Sequence, residues 1–184
     1  MKDKLAIFDL DGTLFNTEDV NYFAYKKALE KYGYDIEKEY FTKKCNGRHY
    51  TEFLPKIVEN ESIIDNIHIL KKEFYHSYLD KALLNEHLFQ IIKLIKEEYY
   101  IAIVTTASRR NCEEILEHFM VKNLFDKIIT QEDVEKVKPN PEGFIRAMNF
   151  FNIQPKSTII YEDSQVGIEA AIKSEASVVA VKKF

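Results

Sequence analysis

Short apolar runs that stop at polar clusters constrain this chain more than any other feature. Leu5-Ala6-Ile7-Phe8 ends at Asp9-Leu10-Asp11-Gly12-Thr13. Ile101-Ala102-Ile103-Val104, Thr158 to Tyr161 and Val178 to Val181 have the same form, and Lys127 to Thr130 is a weaker example. Runs this short and this apolar predict five strands, the first of them buried with a loop at its carboxyl end. Between the later runs the apolar spacing becomes helical. Leu88, Ile91, Ile92, Ile95 and Tyr99 keep one face, and Cys112, Ile115, Leu116, Phe119 and Met120 keep a second. Phe144, Ala147, Met148 and Phe151 make a third, with Pro141 suited to a first-turn position. Strands alternating with helices predict an α/β fold built on a doubly wound parallel sheet.

Residues 18–82 break the alternation. They hold no convincing strand but several amphipathic patterns, such as Val20, Phe23, Ala24 and Leu29. The stretch is too long for a loop in a compact domain. It predicts a small helical domain, 18–82, inserted after the first strand of a core made from 1–17 and 83–184. Its aromatics, Tyr22, Phe23, Tyr25, Tyr32, Tyr40, Phe41, Tyr50 and Phe53, are expected to form that domain's own core.

Composition narrows the function classes. Charged residues make up 30% of the 184 and the formal net charge is −4, with no basic block. That argues against nucleic acid as a structural partner. No apolar run approaches the roughly 20 residues that span a bilayer, and Met1-Lys2-Asp3-Lys4 lacks a signal-peptide core. A soluble, cytoplasmic protein without a membrane partner is expected, with Cys45 and Cys112 as free thiols.

In open α/β sheets ligands bind beyond the carboxyl ends of the strands. There the sequence supplies Asp9, Asp11 and Gly12, then Thr105 and Thr106, then Lys138-Pro139, then Glu162-Asp163-Ser164. Four carboxylates in one small volume repel unless a cation lies among them. All-oxygen ligation suits Mg²⁺. Lys138 offers a compact charge for phosphate oxygens and Thr105 a hydroxyl donor, while Gly12 lets a ligand approach the backbone. A carboxylate nucleophile, a cation, a lysine and hydroxyl donors compose a phosphoryl-transfer site.

These residues resemble the motifs of the haloacid dehalogenase superfamily. Asp9-Leu10-Asp11-Gly12-Thr13-Leu14 with Asn16-Thr17-Glu18 is similar to its first motif, and Thr105 to its second. Lys138-Pro139 is similar to its third, and Glu162-Asp163-Ser164 with Gly167 to its fourth. The resemblance implies a Rossmann-like core with an inserted α-helical cap, as in the phosphoglycolate phosphatase and β-phosphoglucomutase branch. It implies Asp9 as a nucleophile forming an aspartyl-phosphate and Asp11 as general acid/base. Asp9, the Asp11 main-chain carbonyl, Asp163 and Glu162 (directly or through water) would hold Mg²⁺. Thr105 and Lys138 would act on the phosphoryl group, with backbone N–H groups near Gly12 and Thr106.

The implied activity is a Mg²⁺-dependent phosphatase acting on a small phosphorylated metabolite. A sugar phosphomutase and a non-catalytic binding protein are the alternatives. A dehalogenase needs no acid for a leaving halide, so Asp11 argues against that activity. The phosphonatase branch uses a cap lysine, whereas the matching segment here reads Asn46-Gly47-Arg48-His49, with Lys43 and Lys44 expected to face solvent. β-Phosphoglucomutases carry a histidine about where Asn21 stands, and their second motif differs from Thr105-Thr106-Ala107-Ser108. Asn21, Arg48 and His49 are the candidate substrate residues of the cap. Relatives continue past the fifth strand, where this sequence reads Lys182-Lys183-Phe184. The expectation is a monomer or a homodimer that covers the face so left.

Overall fold

The structure is a computed structural model and describes residues 2–182; Met1, Lys183 and Phe184, the outer ends of the expected core, lie outside the described residues. The chain divides into two compact units. One runs to Asn16 and resumes at Leu83; the other is Thr17–Ala82. Thr17 therefore goes with the inserted unit. Its carbonyl accepts from the Asn21 N–H at 2.9 Å and its hydroxyl from Asn21 Nδ2 at 3.2 Å, so it belongs to the first helical turn.

In the first unit, β1 (Lys4–Phe8) leads to the two-residue β2 (Phe15–Asn16). In the inserted unit, α1 (Glu18–Glu30), α2 (Lys38–Tyr40), α3 (Tyr50–Phe53) and α4 (Ile64–Tyr75) carry the helical pattern, with no strand among the described residues. The α1 helix has no Gly or Pro and places Glu18 and Asp19 in its first turn, where the helix dipole favours anions. It packs along α4. Tyr22, Tyr25, Phe41, Phe53, Leu54 and Ile67 are buried between them, with Phe23, Tyr32 and Tyr50 against that cluster. The Tyr25 and Phe53 rings meet edge to face at 5.1 Å. Tyr40 alone among the predicted aromatics is exposed. Burying each large side chain is worth roughly 1.5–3 kcal/mol, whereas an exposed ion pair such as Lys26–Asp35 adds little. Apolar packing therefore holds this unit together.

The chain returns through β3 (Leu83–Leu84), which pairs antiparallel with β2. Then follow α5 (Glu86–Ile95), β4 (Tyr99–Val104), α6 (Arg109–His118), β5 (Lys127–Ile129), α7 (Glu142–Phe151), β6 (Thr158–Glu162), α8 (Gln165–Lys173) and β7 (Ser177–Ala180). The main sheet has five strands in the order β5-β4-β1-β6-β7, with every pairing parallel. Leu5, Ile7, Ala102, Val104 and Ile160 face one side and pack with Phe144, Ala147, Met148, Ala170 and Ala171. Ala6, Phe8, Ile101 and Ile103 alternate to the other side and are also fully buried. This is the α/β, Rossmann-like sheet that the apolar runs predict.

The structure adjusts several boundaries, each for a local reason. Tyr99 starts β4 instead of closing a helix, because its register partner is Lys4. Met120 sits in the left-handed region at φ 54° and ends the turn after α6. Thr130 leaves β5 for a capping turn, its N–H and hydroxyl both donating to Asp133 Oδ2. Pro141 lies at the N-cap of α7, one residue before its first turn. The strand expected at Val178–Val181 begins one residue earlier, although the Val181 N–H still donates to the Glu162 carbonyl at 2.8 Å. The two-residue β2 and β3 are too short for any periodicity to show.

Candidate active site

The order of the strands decides where the site lies. From β1 the chain moves outward through β4 and β5, then crosses to β6 and β7 on the other side of β1. The order reverses between β1 and β6, so their carboxyl ends flank the crevice where such sheets bind ligands. Asp9 follows β1 directly, and its N–H donates to the Tyr161 carbonyl at 3.0 Å. Glu162 ends β6, and Asp163 comes next.

Lys138 reaches this crevice from the loop after β5. Its ammonium donates to Asp9 Oδ1 at 2.6 Å, to Glu162 Oε2 at 2.6 Å and to the Val104 carbonyl at 3.0 Å. Its side chain is 6% exposed, with Asp9 at 9% and Glu162 at 1%. Charges so buried are tolerated only when paired and hydrogen-bonded. Burial alone lowers the lysine pKa, but Asp9 and Glu162 outweigh it and hold the ammonium above its ordinary value. Burial and the Glu162 carboxylate raise the Asp9 carboxyl well above its usual range, against the pull of Lys138. The Lys138–Pro139 peptide bond is cis.

Glu162 is fully engaged. Beside Lys138 on Oε2, its Oε1 accepts from the Asp163 N–H at 3.2 Å, the Ser164 N–H at 3.1 Å and the Ser164 hydroxyl at 2.8 Å. Ser164 also caps α8, its Oγ accepting from the Gly167 N–H at 3.1 Å. A Cβ on Gly167 would stand 2.0–2.4 Å from the Glu162 carboxylate, so only glycine fits there.

The loop after β1 closes on Asp163. The Gly12 N–H donates to the Phe15 carbonyl at 2.7 Å, and the Phe15 N–H to the Leu10 carbonyl at 3.0 Å. This turn puts Gly12 at φ 90°, where a Cβ would lie 2.2 Å from Asp163 Oδ2. The Thr13 hydroxyl donates to Asp163 Oδ1 at 3.1 Å. Asp11 lies in the same turn, in a bridge with Phe15. Asp9, Glu162 and Asp163 each offer a carboxylate oxygen, all within 4.8 Å of one another. That all-oxygen donor set fits a hard divalent cation such as Mg²⁺.

Thr105 is buried at the end of β4, and its hydroxyl accepts from the Ala107 N–H at 3.0 Å. Thr106 is exposed beside it. Both line one cleft with Lys138. The polar ends of β1, β4 and β6 and the Lys138 loop thus converge, as the strand-end argument requires.

Asn21, Arg48 and His49 belong to the helical unit. Asn21 Nδ2 is taken by Thr17 Oγ1. Arg48 is exposed in the turn after a π-helical segment, its N–H donating to the Cys45 carbonyl at 3.0 Å. His49 precedes α3 and shares a hydrogen bond with Thr51 Oγ1 at 2.8 Å. Lys43 and Lys44 face solvent, and Cys45 and Cys112 are free and buried. Burial, then the Asp11 charge, pushes the Cys112 thiol up to about 12, so it stays neutral near the site.

Two contributors escaped sequence reasoning. Thr13 looked like part of a turn, and its bond to Asp163 spans 150 residues. Asn85 drew no notice, although an Asn three residues before the first apolar residue of an amphipathic segment is an N-cap signal.

Comparison with known proteins agrees with this geometry. The family of haloacid dehalogenase-like hydrolases matches residues 6–181, and the chain belongs to that family. It is 28% identical over 171 residues to the "Phosphorylated carbohydrates phosphatase" of Thermotoga maritima, covering 90% of this chain and 79% of that protein. It is 27% identical over 171 residues to the "Fructose-1-phosphate phosphatase YqaB" of Escherichia coli, covering 90% and 89%. A crystal structure from Haemophilus somnus, described as a predicted phosphoglycolate phosphatase, superposes with a TM-score of 0.89 at 21% identity, covering 100% of this chain and 87% of that one. No helix among the described residues is long and apolar enough to cross a membrane.

Proposed function

We propose that this chain is a Mg²⁺-dependent phosphatase that hydrolyses the phosphomonoester of a small phosphorylated carbohydrate through an aspartyl-phosphate. The observation that carries this reading is Asp9 at the switch point, 2.6 Å from the buried Lys138 ammonium and beside Asp163. Two of the curated relatives are named as phosphatases of phosphorylated sugars, which supports the substrate class.

Asp9 attacks phosphorus while the bond from phosphorus to the leaving oxygen breaks. Asp11 gives its proton to that oxygen. A water then attacks the Asp9-bound phosphorus, Asp11 takes the water's proton, and inorganic phosphate leaves with Asp9 restored. Lys138 offsets the charge that develops as two anions meet. Thr105 and the backbone N–H groups near Gly12 and Thr106 hold the phosphoryl oxygens. Asp9, Asp163 and the Asp11 carbonyl would hold Mg²⁺, which would supply further charge neutralisation. Glu162, which also offers a carboxylate oxygen there, would reach the cation directly or through water while it fixes Lys138 and the Asp163 backbone. The helical unit, 18–82, corresponds to the inserted cap that the resemblance implies, with Asn21, Arg48 and His49 as its candidate substrate residues.

The test is phosphate release from a sugar-phosphate panel including fructose 1-phosphate and β-glucose 1-phosphate, with Mg²⁺ or with EDTA. Mg²⁺-dependent release from a sugar phosphate is expected. Conversion of β-glucose 1-phosphate to glucose 6-phosphate without release would replace the phosphatase with a mutase. No turnover of any panel member would sink the reading.

A further inference from the structure

We propose that Asn85 is a positioning residue for this site: it holds the Asp11–Thr13 turn in place against Asp163. The proposal rests on the phosphatase reading above.

Asn85 lies directly after β3 and is buried. Besides its carbonyl, which accepts from the Phe89 N–H at 3.1 Å, it makes three bonds. Its Nδ2 donates to the Thr13 carbonyl at 3.1 Å, and its backbone N–H donates to the Leu14 carbonyl at 2.9 Å. Its Oδ1 accepts from the Leu88 N–H at 3.3 Å and so caps α5. Two successive carbonyls of the turn are thereby fastened to the head of a helix whose Leu88, Phe89 and Ile92 are buried. On the other side of the turn, Thr13 donates to Asp163 and Gly12 has no room for a Cβ against it. An unbroken line of contacts therefore runs from α5 through Asn85 and Thr13 to Asp163.

The chemistry of the side chain explains its identity. One side chain must accept from Leu88 and donate to Thr13 at once, and the planar amide does so with two separate atoms, Oδ1 and Nδ2. Ser or Asp caps a helix about as well as Asn. Asp has no donor for the Thr13 carbonyl and turns a carboxylate oxygen toward it, and Ser has one shorter hydroxyl where the amide has two separate polar atoms. A cap and a clamp are thus separable by substitution. Small displacements of positioned groups cost rate steeply, about a hundredfold for 1 Å.

The experiment compares wild type, Asn85→Ser and Asn85→Asp. Thermal unfolding is followed by circular dichroism, kcat and KM are measured on p-nitrophenyl phosphate, and the Mg²⁺ Kd is measured by calorimetry. A residue that only caps α5 leaves all three proteins alike in every assay. A clamp orders them differently: kcat falls roughly tenfold in Asn85→Ser and further in Asn85→Asp, with KM within threefold. Mg²⁺ binding weakens about fivefold in both, because Thr13 no longer holds Asp163 as firmly. Variants within twofold of wild type in kcat and Mg²⁺ Kd would overturn the proposal, as would losses that only follow the unfolding temperature. A wild type that binds Mg²⁺ but hydrolyses nothing would sink the phosphatase reading alone, and the Mg²⁺ Kd then decides on Asn85. A wild type that neither hydrolyses nor binds Mg²⁺ would overturn both.

Discussion

The carboxyl edge of the main sheet and the core of the helical unit differ in what they bury, although Lys71 of the helical unit is buried too. At the carboxyl edge of the sheet, the buried groups include Asp9, Lys138 and Glu162, three charges in direct contact. In the helical unit the buried cluster is aromatic and aliphatic, and the ion pairs Lys26–Asp35, Lys38–Asp19 and Lys43–Glu39 lie on the surface. The first arrangement sacrifices stability for electrostatic preorganisation, since desolvated charges resist rearrangement. The second is an ordinary apolar core whose polar surface is free to vary. Chemistry is therefore expected to depend on single atoms in one unit, and stability on volume in the other.

The largest expected effect breaks the charged trio. Asp9→Asn should lower kcat on p-nitrophenyl phosphate at least a thousandfold while the circular dichroism spectrum stays native. Activity within tenfold of wild type would contradict the nucleophile assignment. Lys138→Met should cost activity and also about 3–5 kcal/mol in urea unfolding, because two buried carboxylates lose their partner.

Gly167→Ala tests the same edge without removing a charge. The new Cβ would displace the Glu162 carboxylate, and kcat should fall by an order of magnitude or more. An unchanged kcat would mean that Glu162 does not need its present place.

In the helical unit the expected pattern reverses. Phe53→Ala should cost about 3–5 kcal/mol of stability by leaving a cavity. Turnover of p-nitrophenyl phosphate should stay within severalfold below the unfolding temperature. A loss of turnover as large as that of Asp9→Asn would erase the contrast between the units.

A smaller effect comes from His68. It shares a hydrogen bond with the Tyr25 hydroxyl at 3.0 Å and stacks on Tyr50 at 3.9 Å. Burial, then Lys72 and Lys71, pushes its imidazole down to about 3. The native state thus holds it neutral while the unfolded chain protonates near 6.5. Stability from this group is complete above about pH 6.5 and declines as pH falls toward 3. His68→Gln should flatten that part of the pH–stability curve; an unaltered slope would remove His68 as its source. The smallest effect is expected from Lys26→Ala, which should leave the urea midpoint unchanged because its ion pair is exposed.

Much of this was legible along the chain. The central strands β1 and β4 announced themselves as short apolar runs because burial on both faces excludes polar residues, and the edge strand β7 read the same way although it is largely exposed. The helices α6 and α7 showed their buried stripe for the same reason. Asp9, Lys138, Glu162 and Asp163 were legible because each follows or ends such a run, and parallel strands deliver their carboxyl ends to one edge. The helical unit was legible only as a break in that alternation. Its aromatics other than Tyr40 read correctly as a core, since their spacing matches a helix.

What stayed hidden depended on partners far apart in sequence. Glu162 was read as a metal ligand, direct or through water, by its place in a motif, and only folding shows that it is also surrounded by Lys138, Ser164 and the Asp163 backbone. No local pattern shows that Gly167 has no room for a Cβ, or that Thr13 reaches Asp163. Asn85 could be read as a helix cap, but its clamp on Thr13 exists only because β2 and β3 bring the two segments together. The sequence alone determined the strand–helix alternation, the inserted helical stretch and the types of groups at the strand ends, because burial and periodicity act over a few residues. The tertiary structure alone decided which of those groups touch, which are spent on holding others and which remain for chemistry, because hydrogen bonds and charge pairing follow distance in space.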